Sequence, residues 1–318
     1  MKLKLILFIF LLSSNNLLAQ IKNEDKTNDN IEKILGNKSA QAIIDKTKQD
    51  AINQATSLAT TKTKSYLDTL FPTVEVSLSK GLNEDHLVGG ILVVAPLSDP
   101  KNVLNTTFTQ GSIFLHDDRK TVNLGLGHRV LEFDKKLLLG ANAFYDHEFP
   151  YDHQRASIGL EARSSVGEIN ANKYWALTKW KKAGISDERA LDGQDIEAAI
   201  PLPYINWAKA SVRHFRWEGV DGASDLKGND YSLRAEVPIF RGLSIEAGVR
   251  DFNNKKDEHF VRLTWSPKAP VDTLKTPQLV SNEAYTLTSM EDRRYEKVRR
   301  ENLIVKQKRR AGVNLVAY

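Results

Sequence analysis

The stretch ANAFYDHEFPYDH, residues 141–153, concentrates side chains that can transfer protons or bind metal ions. It holds two adjacent acid–imidazole pairs, Asp146-His147 and Asp152-His153. Carboxylates next to imidazoles are typical of general acid–base pairs and of metal sites, because histidine titrates near neutral pH. Two interpretations therefore have to be weighed: a catalytic or metal site, and the charged rim of a larger structure.

The start of the chain has the features of an export signal. Lys2 and Lys4 precede the apolar run 5–12, and a small residue, Ala19, offers a cleavage site. The run is too short to cross a bilayer, which takes roughly 20 apolar residues. The sequence therefore predicts a signal peptide over residues 1–20.

The chain has no cysteine, so no disulfide framework holds an exported protein of 318 residues together. No later apolar run is long enough for a transmembrane helix. The net charge of +5 is concentrated near the C-terminus, in the basic stretch 292–310. Basic stretches often bind nucleic acids, but an exported chain does not meet them, so we expect no nucleic-acid partner.

From residue 73 to residue 267 apolar and polar residues alternate. Leu124 and Leu126, for example, alternate with Asn123 and Gly125. A period of two is typical of β-strands that have one apolar and one polar face. The pattern predicts twelve strands, near residues 73–80, 87–95, 105–117, 119–132, 135–148, 153–165, 167–180, 193–202, 206–218, 229–240, 242–252 and 257–267.

Alternation alone leaves open whether the apolar faces meet in a soluble β-sandwich or point toward lipid. Polar faces rich in Arg, Glu and Gly favour the membrane barrel, and so does the export signal. Tryptophans near the predicted strand ends, where aromatic girdles occur, support it further; they are Trp175, Trp180, Trp207, Trp217 and Trp265. We predict an all-β fold, a twelve-stranded antiparallel outer-membrane β-barrel over residues 71–267. A short helical periplasmic segment is expected at 21–70, where small and aliphatic residues recur at helical intervals.

In such a barrel the polar faces enclose the pore. The residues predicted to line it are Asn123, Arg129, Asn142, Arg155, Glu161, Arg163, Arg234, Glu236, Glu246 and Arg250. Gly125 and Gly127 lie on the same face, where we expect them to leave room for a segment passing through the pore.

Several motifs, in order, resemble the strand motifs of inverse autotransporters, the intimin and invasin family. They are FTQGSIFLHDDRKTVNLGLGHRVL (108–131), LLGANAFYDHEF (138–149), RASIGLEA (155–162), NANKYWALTKW (170–180) and ERALDGQDI (188–196). The segments 65–79 and 92–103 are similar to the family's first strands. The resemblance covers about residues 65–267 and implies the same barrel.

The stretch RYEKVRRENLIVKQKRR (294–310) is similar to that family's linker, which occupies the pore and carries the chain to the cell surface. The matching positions are Arg294, Tyr295, Val298, Arg300, Asn302, Ile304, Arg309 and Arg310. We expect residues 268–318 to be a pore-threading linker and the start of a missing passenger, because the chain stops at Tyr318 without the family's usual adhesive domains. The family's peptidoglycan-binding module is not recognisable in residues 21–64.

The resemblance implies a translocation and anchoring barrel in the outer membrane of a Gram-negative bacterium, which exports a C-terminal segment as adhesins do. We expect no enzymatic activity and no cofactor. The implied partners are outer-membrane lipid, the barrel-assembly machinery, periplasmic chaperones, and a separately encoded passenger or a host surface.

Four alternatives stay open: a plugged structural porin, a truncated adhesin remnant, an open diffusion pore, and a rim-active hydrolase that uses Asp146, His147, Asp152 and His153. The family likeness places AFYD at a strand end, and Pro150 with Asp152 favours a turn. The barrel rim is therefore the preferred interpretation of the opening motif, ahead of catalysis or metal binding.

Overall fold

The computed structural model describes residues 71–317 except 83–86, 237–239, 241, 254, 268–278, 311 and 312. Its largest element is a closed antiparallel barrel of twelve strands, which confirms the predicted fold class. The predicted signal peptide and the helical segment at 21–70 lie outside the described residues and stay predictions. No helix in the described part of the chain is long and apolar enough to cross a membrane.

The barrel strands follow the predicted segments to within a few residues at most ends. They are β1 (Thr73–Gly81), β2 (Leu87–Pro96), β3 (Asn105–His116), β4 (Arg119–Glu132), β5 (Leu137–Phe149), β6 (His153–Ser164), β7 (Gly167–Ala176), β10 (Gly193–Leu202), β11 (Ile205–Trp217), β12 (Leu226–Glu236), β13 (Leu243–Phe252) and β14 (Glu258–Trp265). Each strand pairs with its neighbours, and β1 pairs with β14 to close the barrel.

Four shorter strands form a second sheet in the order β16-β15-β9-β8. They are β8 (Lys181–Ala183), β9 (Ser186–Ala190), β15 (Lys306–Arg310) and β16 (Val313–Ala317). The alternation pattern did not predict them, and the predicted strand 167–180 was too long because β7 ends at Ala176. The hairpin β8–β9 belongs to the connection 177–192 between β7 and β10.

The two ends of the barrel differ in their connections. We call the end where β1 begins and β14 ends the lower rim; it carries the turn 133–136. The opposite end, the upper rim, carries the connections 177–192 and 218–225 and the second sheet.

The apolar faces point outward, away from the interior of the barrel. Leu126 is 58% exposed and Leu160 is 66% exposed, whereas Arg129 and Arg155 on the opposite faces are at most 1% exposed. This is the inverse of a soluble protein and the expected arrangement of a membrane barrel. It decides between the two architectures that the alternation had left open.

Two glycines of β4 serve a purpose different from the expected one. Gly125 pairs with Phe144 and Gly127 pairs with Phe108, and a Cβ atom on either glycine would collide with the partner's ring. The glycines therefore make room for aromatic rings that lie flat on the inner face, and not directly for a passing segment.

The expected tryptophan girdle is incomplete. Trp175 lies on β7 near the upper rim and is 39% exposed, as a girdle residue would be, but Trp217 is completely buried inside the barrel. The alternation of β11 turns Trp217 inward at the last position of the strand, so its place near a strand end did not reveal which way it faces.

Candidate functional site

Residues 291–305, which we call the pore segment, run through the barrel from one rim to the other. At the lower rim the amide of Met290 donates to the carbonyl of Lys135, at 2.7 Å. At the upper rim the amide of Leu191 donates to the carbonyl of Val305, at 3.0 Å. The pore segment contains a single 3₁₀ turn at Glu291–Arg293 and no other regular structure.

Side chains of the barrel donate hydrogen bonds to the backbone carbonyls of the pore segment. Arg129 donates to the carbonyls of Arg294 and Glu296 at 2.8 and 2.6 Å. Arg155 donates to those of Glu301 and Leu303 at 2.8 and 2.9 Å. An extended chain in a narrow pore has no partner strand, and these bonds replace the ones that it would otherwise make with water.

Further donors from other strands complete this row of bonds. The carbonyl acceptors are Tyr295 for Thr73, Lys297 for Arg163, Arg299 for Asn172 and Asn302 for Asn123. We call the six donors, Thr73, Asn123, Arg129, Arg155, Arg163 and Asn172, the carbonyl-binding residues. They contact groups that every residue type presents, so these contacts do not depend on the side chains of the pore segment.

The side chains of the pore segment make a second, sequence-dependent set of contacts. Arg300 forms a two-pronged ion pair with Asp146 of β5, at 2.9 and 2.7 Å, and both side chains are fully buried. Charge-assisted pairs with this geometry fix position as well as supply energy. In two more pairs the pore segment also supplies the cation and the barrel the carboxylate: Arg299 with Glu197 at 2.8 Å and Lys297 with Glu75 at 2.5 Å.

Arg300 also lies on the aromatic ring that covers a glycine. Its guanidinium carbon is 4.3 Å from the ring centre of Phe144, and Arg129 lies 4.4 Å from that of Phe108. Cation–π contacts of this kind strengthen when they are desolvated. Each ring therefore fills the space above its glycine and supports an arginine.

Apolar clusters pack against the pore segment along the same path. Val298 and Tyr295 pack with Phe108, Phe144 and neighbouring residues in the lower half of the barrel. Near the upper rim Val305 is completely buried in a cluster of apolar and aromatic side chains from β7, β11, β12, β13 and the connection 177–192, which we call the upper collar. Its members are Tyr174, Leu191, Phe215, Trp217, Leu226 and Phe252.

A cavity of about 370 Å³ remains beside the pore segment, on the side of β1, β11, β12, β13 and β14. Small hydroxyl side chains and charged residues line it, including Ser77, Ser211, Ser232 and Glu246. The pore segment thus packs against one side of the barrel more closely than against the other.

Four of the residues predicted to line the pore touch the pore segment through its carbonyls: Asn123, Arg129, Arg155 and Arg163. The others occupy different positions. Three of them pair with other barrel residues: Glu161 with Arg129 and Arg163, Arg234 with Glu168, and Arg250 with Asp230. Asn142 is buried opposite Gly159, and Glu236 is exposed. Glu246 lies 4.0 Å from Arg299 of the pore segment. The expected acidic lining for a cationic segment exists, but Asp146, Glu197 and Glu75 supply most of it.

The residues predicted for the linker divide between the pore and the upper rim. Arg294, Tyr295, Val298, Arg300, Asn302 and Ile304 lie in the pore segment, whereas Arg309 and Arg310 belong to β15. Arg294 donates to the carbonyl of Pro100 at the lower rim, and Ile304 is completely buried.

The opening motif lies at the upper rim, but the chain separates its members. Asp146 points into the pore toward Arg155 and Arg300, whereas His147 points outward, stacks on Phe149 at 4.2 Å and contacts Asp152. Neighbouring residues of a strand face opposite sides, so Asp146 and His147 do not form a pair.

His153 points inward and lies in a buried acidic group with Glu148 and Glu188, whose possible ligand atoms are all within 4.8 Å of one another. Arg119 donates to both carboxylates at 2.8 Å, and Lys306 contacts Glu148 at 2.5 Å. These two cations already balance the two negative charges, so a divalent cation would have to displace them.

The barrel has its apolar faces on the outside, and a segment of its own chain runs through it from rim to rim. These two features define the class of outer-membrane β-barrels whose pore is occupied by their own polypeptide. A family described as the inverse autotransporter β-domain matches residues 26–302. The chain therefore belongs to the inverse autotransporter β-domain family, and its location is the outer membrane of a Gram-negative bacterium.

Similar proteins agree with this assignment. The chain is 28% identical over 218 residues to "Inverse autotransporter adhesin YeeJ" of Escherichia coli K12, a match that covers 65% of this chain and 9% of the relative. It is 29% identical over 207 residues to a "Putative attaching and effacing protein homolog" of the same organism, covering 63% of this chain and 68% of the relative. The first relative is thus a far longer protein.

One solved structure shows the same fold. It comes from work on "the Mechanism Behind the in-meso Crystallization of Membrane Proteins" and superposes with a TM-score of 0.60 at 20% identity, over 74% of this chain and 100% of that chain.

Proposed function

We propose that this barrel exports its own C-terminal segment to the cell surface and anchors it in the outer membrane. The observation that carries the proposal is the course of residues 291–305 from the lower rim to the upper rim, bonded to the barrel at both ends. Beyond the upper rim the chain continues as β15 and β16.

The lower rim faces the periplasm in this proposal. Outer-membrane barrels have short periplasmic turns and longer external loops. Their first strand begins and their last strand ends on the periplasmic side, as β1 and β14 do at the lower rim. The connections 177–192 and 218–225 are on the upper rim, which therefore faces outward.

The carbonyl-binding residues give the pore a way to accommodate an unfolded chain. Backbone carbonyls recur at every position, so a donor that releases one carbonyl can accept the next as the chain advances. No nucleotide is available in the periplasm, and folding of what emerges would supply the direction. The side-chain ion pairs of Lys297, Arg299 and Arg300 would then stop the chain in its final register.

A role in adhesion is suggested by the names of the similar proteins. YeeJ is named an adhesin, and this chain corresponds to 9% of it. The exported part of this protein would therefore serve attachment, through a passenger or a separately encoded partner at a host surface. Periplasmic chaperones and the barrel-assembly machinery would deliver the barrel to the membrane.

A tag tests the proposal directly. An epitope placed after Tyr318 should be accessible to antibody and protease on intact cells. The matched control is the same epitope inserted in the lower-rim turn 133–136, which should become accessible only after the outer membrane is permeabilised. A C-terminal tag that behaves like this control would contradict export.

A plugged structural barrel is the second candidate, because the pore segment is bonded to the barrel at both rims and Val305 is completely buried in the upper collar. Low conductance with a C-terminal tag confined to the periplasm would favour this candidate. Low conductance with a surface-exposed tag would favour export followed by plugging.

A further inference from the structure

The segment that leaves the pore enters a binding site made by two connections of the upper rim. Residues 306–310, which we call the exit segment, pair with β9 through their first four residues: Lys306 with Ala190, Gln307 with Arg189, Lys308 with Glu188, and Arg309 with Asp187. Addition of a strand to the edge of a sheet gives affinity through the backbone, and the alternating side chains give specificity.

One face of the exit segment meets acidic groups below it. Lys306, 2% exposed, reaches Glu148 of the barrel at 2.5 Å, and Lys308 lies 3.5 Å from Glu188. A buried lysine is costly to place unless an anion receives it, so Glu148 selects a cation at this position.

The other face meets the connection 218–225. The amide side chain of Gln307 accepts a hydrogen bond from the backbone amide of Val220 at 2.9 Å and donates one to its carbonyl at 3.0 Å. Two residues further on, Arg309 stacks on Trp180 at 4.4 Å and lies 3.5 Å from Asp187. Only a residue with both a donor and an acceptor satisfies the Val220 backbone in this way.

The four side chains therefore match four different groups at the spacing of an extended strand. We propose that β9, Trp180 and the connection 218–225 form a peptide-binding site, the exit site, which captures the Lys-Gln-Lys-Arg segment as it emerges and keeps the exported chain from sliding back. This inference rests on the proposed export function. It assigns the upper-rim connections a role that the barrel and its pore do not require.

Capture can be tested separately from export by disulfide cross-linking. The chain has no native cysteine, so two introduced cysteines are its only thiols. Asp187→Cys with Arg309→Cys places thiols on directly paired residues, which a disulfide can join. Arg189→Cys with Arg309→Cys is the matched control, two residues out of register on the same face and with the contacts of Gln307 intact. We expect a disulfide in most molecules of the first variant on intact cells and only background in the second.

Trypsin provides an independent measure. The exit segment contains four Lys or Arg residues and none follow it, so cleavage there releases a C-terminal tag into the medium. The double variant Trp180→Ala/Asp187→Ala should release the tag roughly tenfold faster than the parent, because proteolysis follows the population of the open form. Ile185→Ala, at the exposed tip of the hairpin, is the control and should leave the rate unchanged.

The outcomes distinguish the two levels of the proposal. A surface-exposed tag combined with no specific disulfide and equal cleavage rates would overturn the exit site and leave export standing. A tag that stays in the periplasm would overturn export and the exit site with it. A specific disulfide together with faster cleavage in the double variant supports capture.

Discussion

Asp146 joins two arginines that come from distant parts of the chain. Arg300 of the pore segment donates to both carboxylate oxygens of Asp146, at 2.9 and 2.7 Å, while Arg155 of β6 donates to one of them at 2.8 Å. All three side chains are completely shielded from solvent. One carboxylate therefore ties the pore segment to the barrel, and its loss leaves two buried cations without their common partner.

Removing Asp146 should cost more than removing Arg300. Asp146→Ala leaves Arg155 and Arg300 buried without their shared carboxylate, and it should lower the free energy of unfolding by about 3–5 kcal/mol. Arg300→Ala leaves Asp146 paired with Arg155 and should cost about 1–3 kcal/mol. Urea unfolding in detergent measures both. Lys182→Ala, which removes an exposed ion pair with Asp187, is the control and should change the value by less than about 1 kcal/mol. Equal costs for the two buried variants would refute the central role of Asp146.

Arg155→Lys should slow export while the barrel still assembles. The lysine keeps a positive charge beside Asp146 but loses the planar fork that reaches the carbonyls of Glu301 and Leu303. We expect a C-terminal tag to reach the surface several-fold more slowly in a pulse-chase experiment. Arg216→Lys changes an arginine that pairs with Asp225 near the upper rim and should export at the parental rate. An unchanged rate in Arg155→Lys would argue against the carbonyl-binding residues.

Val305→Asp should open the pore. A carboxylate in the upper collar loses its hydration among apolar side chains, and the arginines that lie on the collar rings, Arg155, Arg213 and Arg250, are already paired with Asp146 or Asp230. The segment should therefore leave the collar. Conductance in planar bilayers should rise from the parent through Val305→Asp to a deletion of residues 268–318. Val280→Asp, at an exposed position, is the control. High conductance in the parent itself would contradict the placement of the pore segment.

The exit site should loosen in acid. Burial by itself raises the pKa of Glu188. The neighbouring His153 and Arg119 side chains lower it by more than burial raises it, so the pKa falls to about 2. A depressed carboxyl pKa stabilises the folded form above the ordinary value, and this contribution is lost as the pH falls from about 4.5 to about 2. The distance between spin labels at Ile185 and Val313 should therefore increase over this range.

Glu188→Gln is the matched variant for this pH dependence. It removes the titrating group, so the label distance should lose the acid-dependent step. A step of the same size in Glu188→Gln would assign the effect to another group.

Substitution of the rim histidines tests the catalytic alternative. His147 faces outward between Phe149 and Asp152, so His147→Ala should leave assembly and export intact. His153 is buried beside Glu188, and His153→Ala should affect the exit site before it affects the barrel. Hydrolysis of lipid or peptide ester substrates by the parent, lost in both variants, would favour a rim-active hydrolase.

The order and direction of the barrel strands followed from the sequence. The alternation of Leu124 and Leu126 with Asn123 is a local property, and the pleat of a strand converts it directly into two faces. The basic character of residues 294–310 also marked most of the pore segment, although residues 306–310 lie beyond the pore in β15. The family resemblance, which rests on motifs in the same order, agreed with both.

The ion-pair partners did not follow from the sequence. Asp146 and Arg300 are 154 residues apart, and no local pattern connects them. The predicted acidic lining named Glu161, which the barrel itself neutralises through Arg129 and Arg163. The concentration of acidic and imidazole side chains in residues 141–153 pointed to Asp146, but for proton transfer or metal binding. In the structure Asp146 instead binds Arg300.

The sequence by itself determined the twelve barrel strands, their two faces and a cationic segment after the last strand, because periodicity and composition are written residue by residue. Only the tertiary structure decided that Gly125 and Gly127 accept aromatic rings, that Trp217 turns inward, and that β15 pairs with β9. These features depend on barrel closure and on the course of the pore segment, which bring together side chains that the linear order keeps far apart.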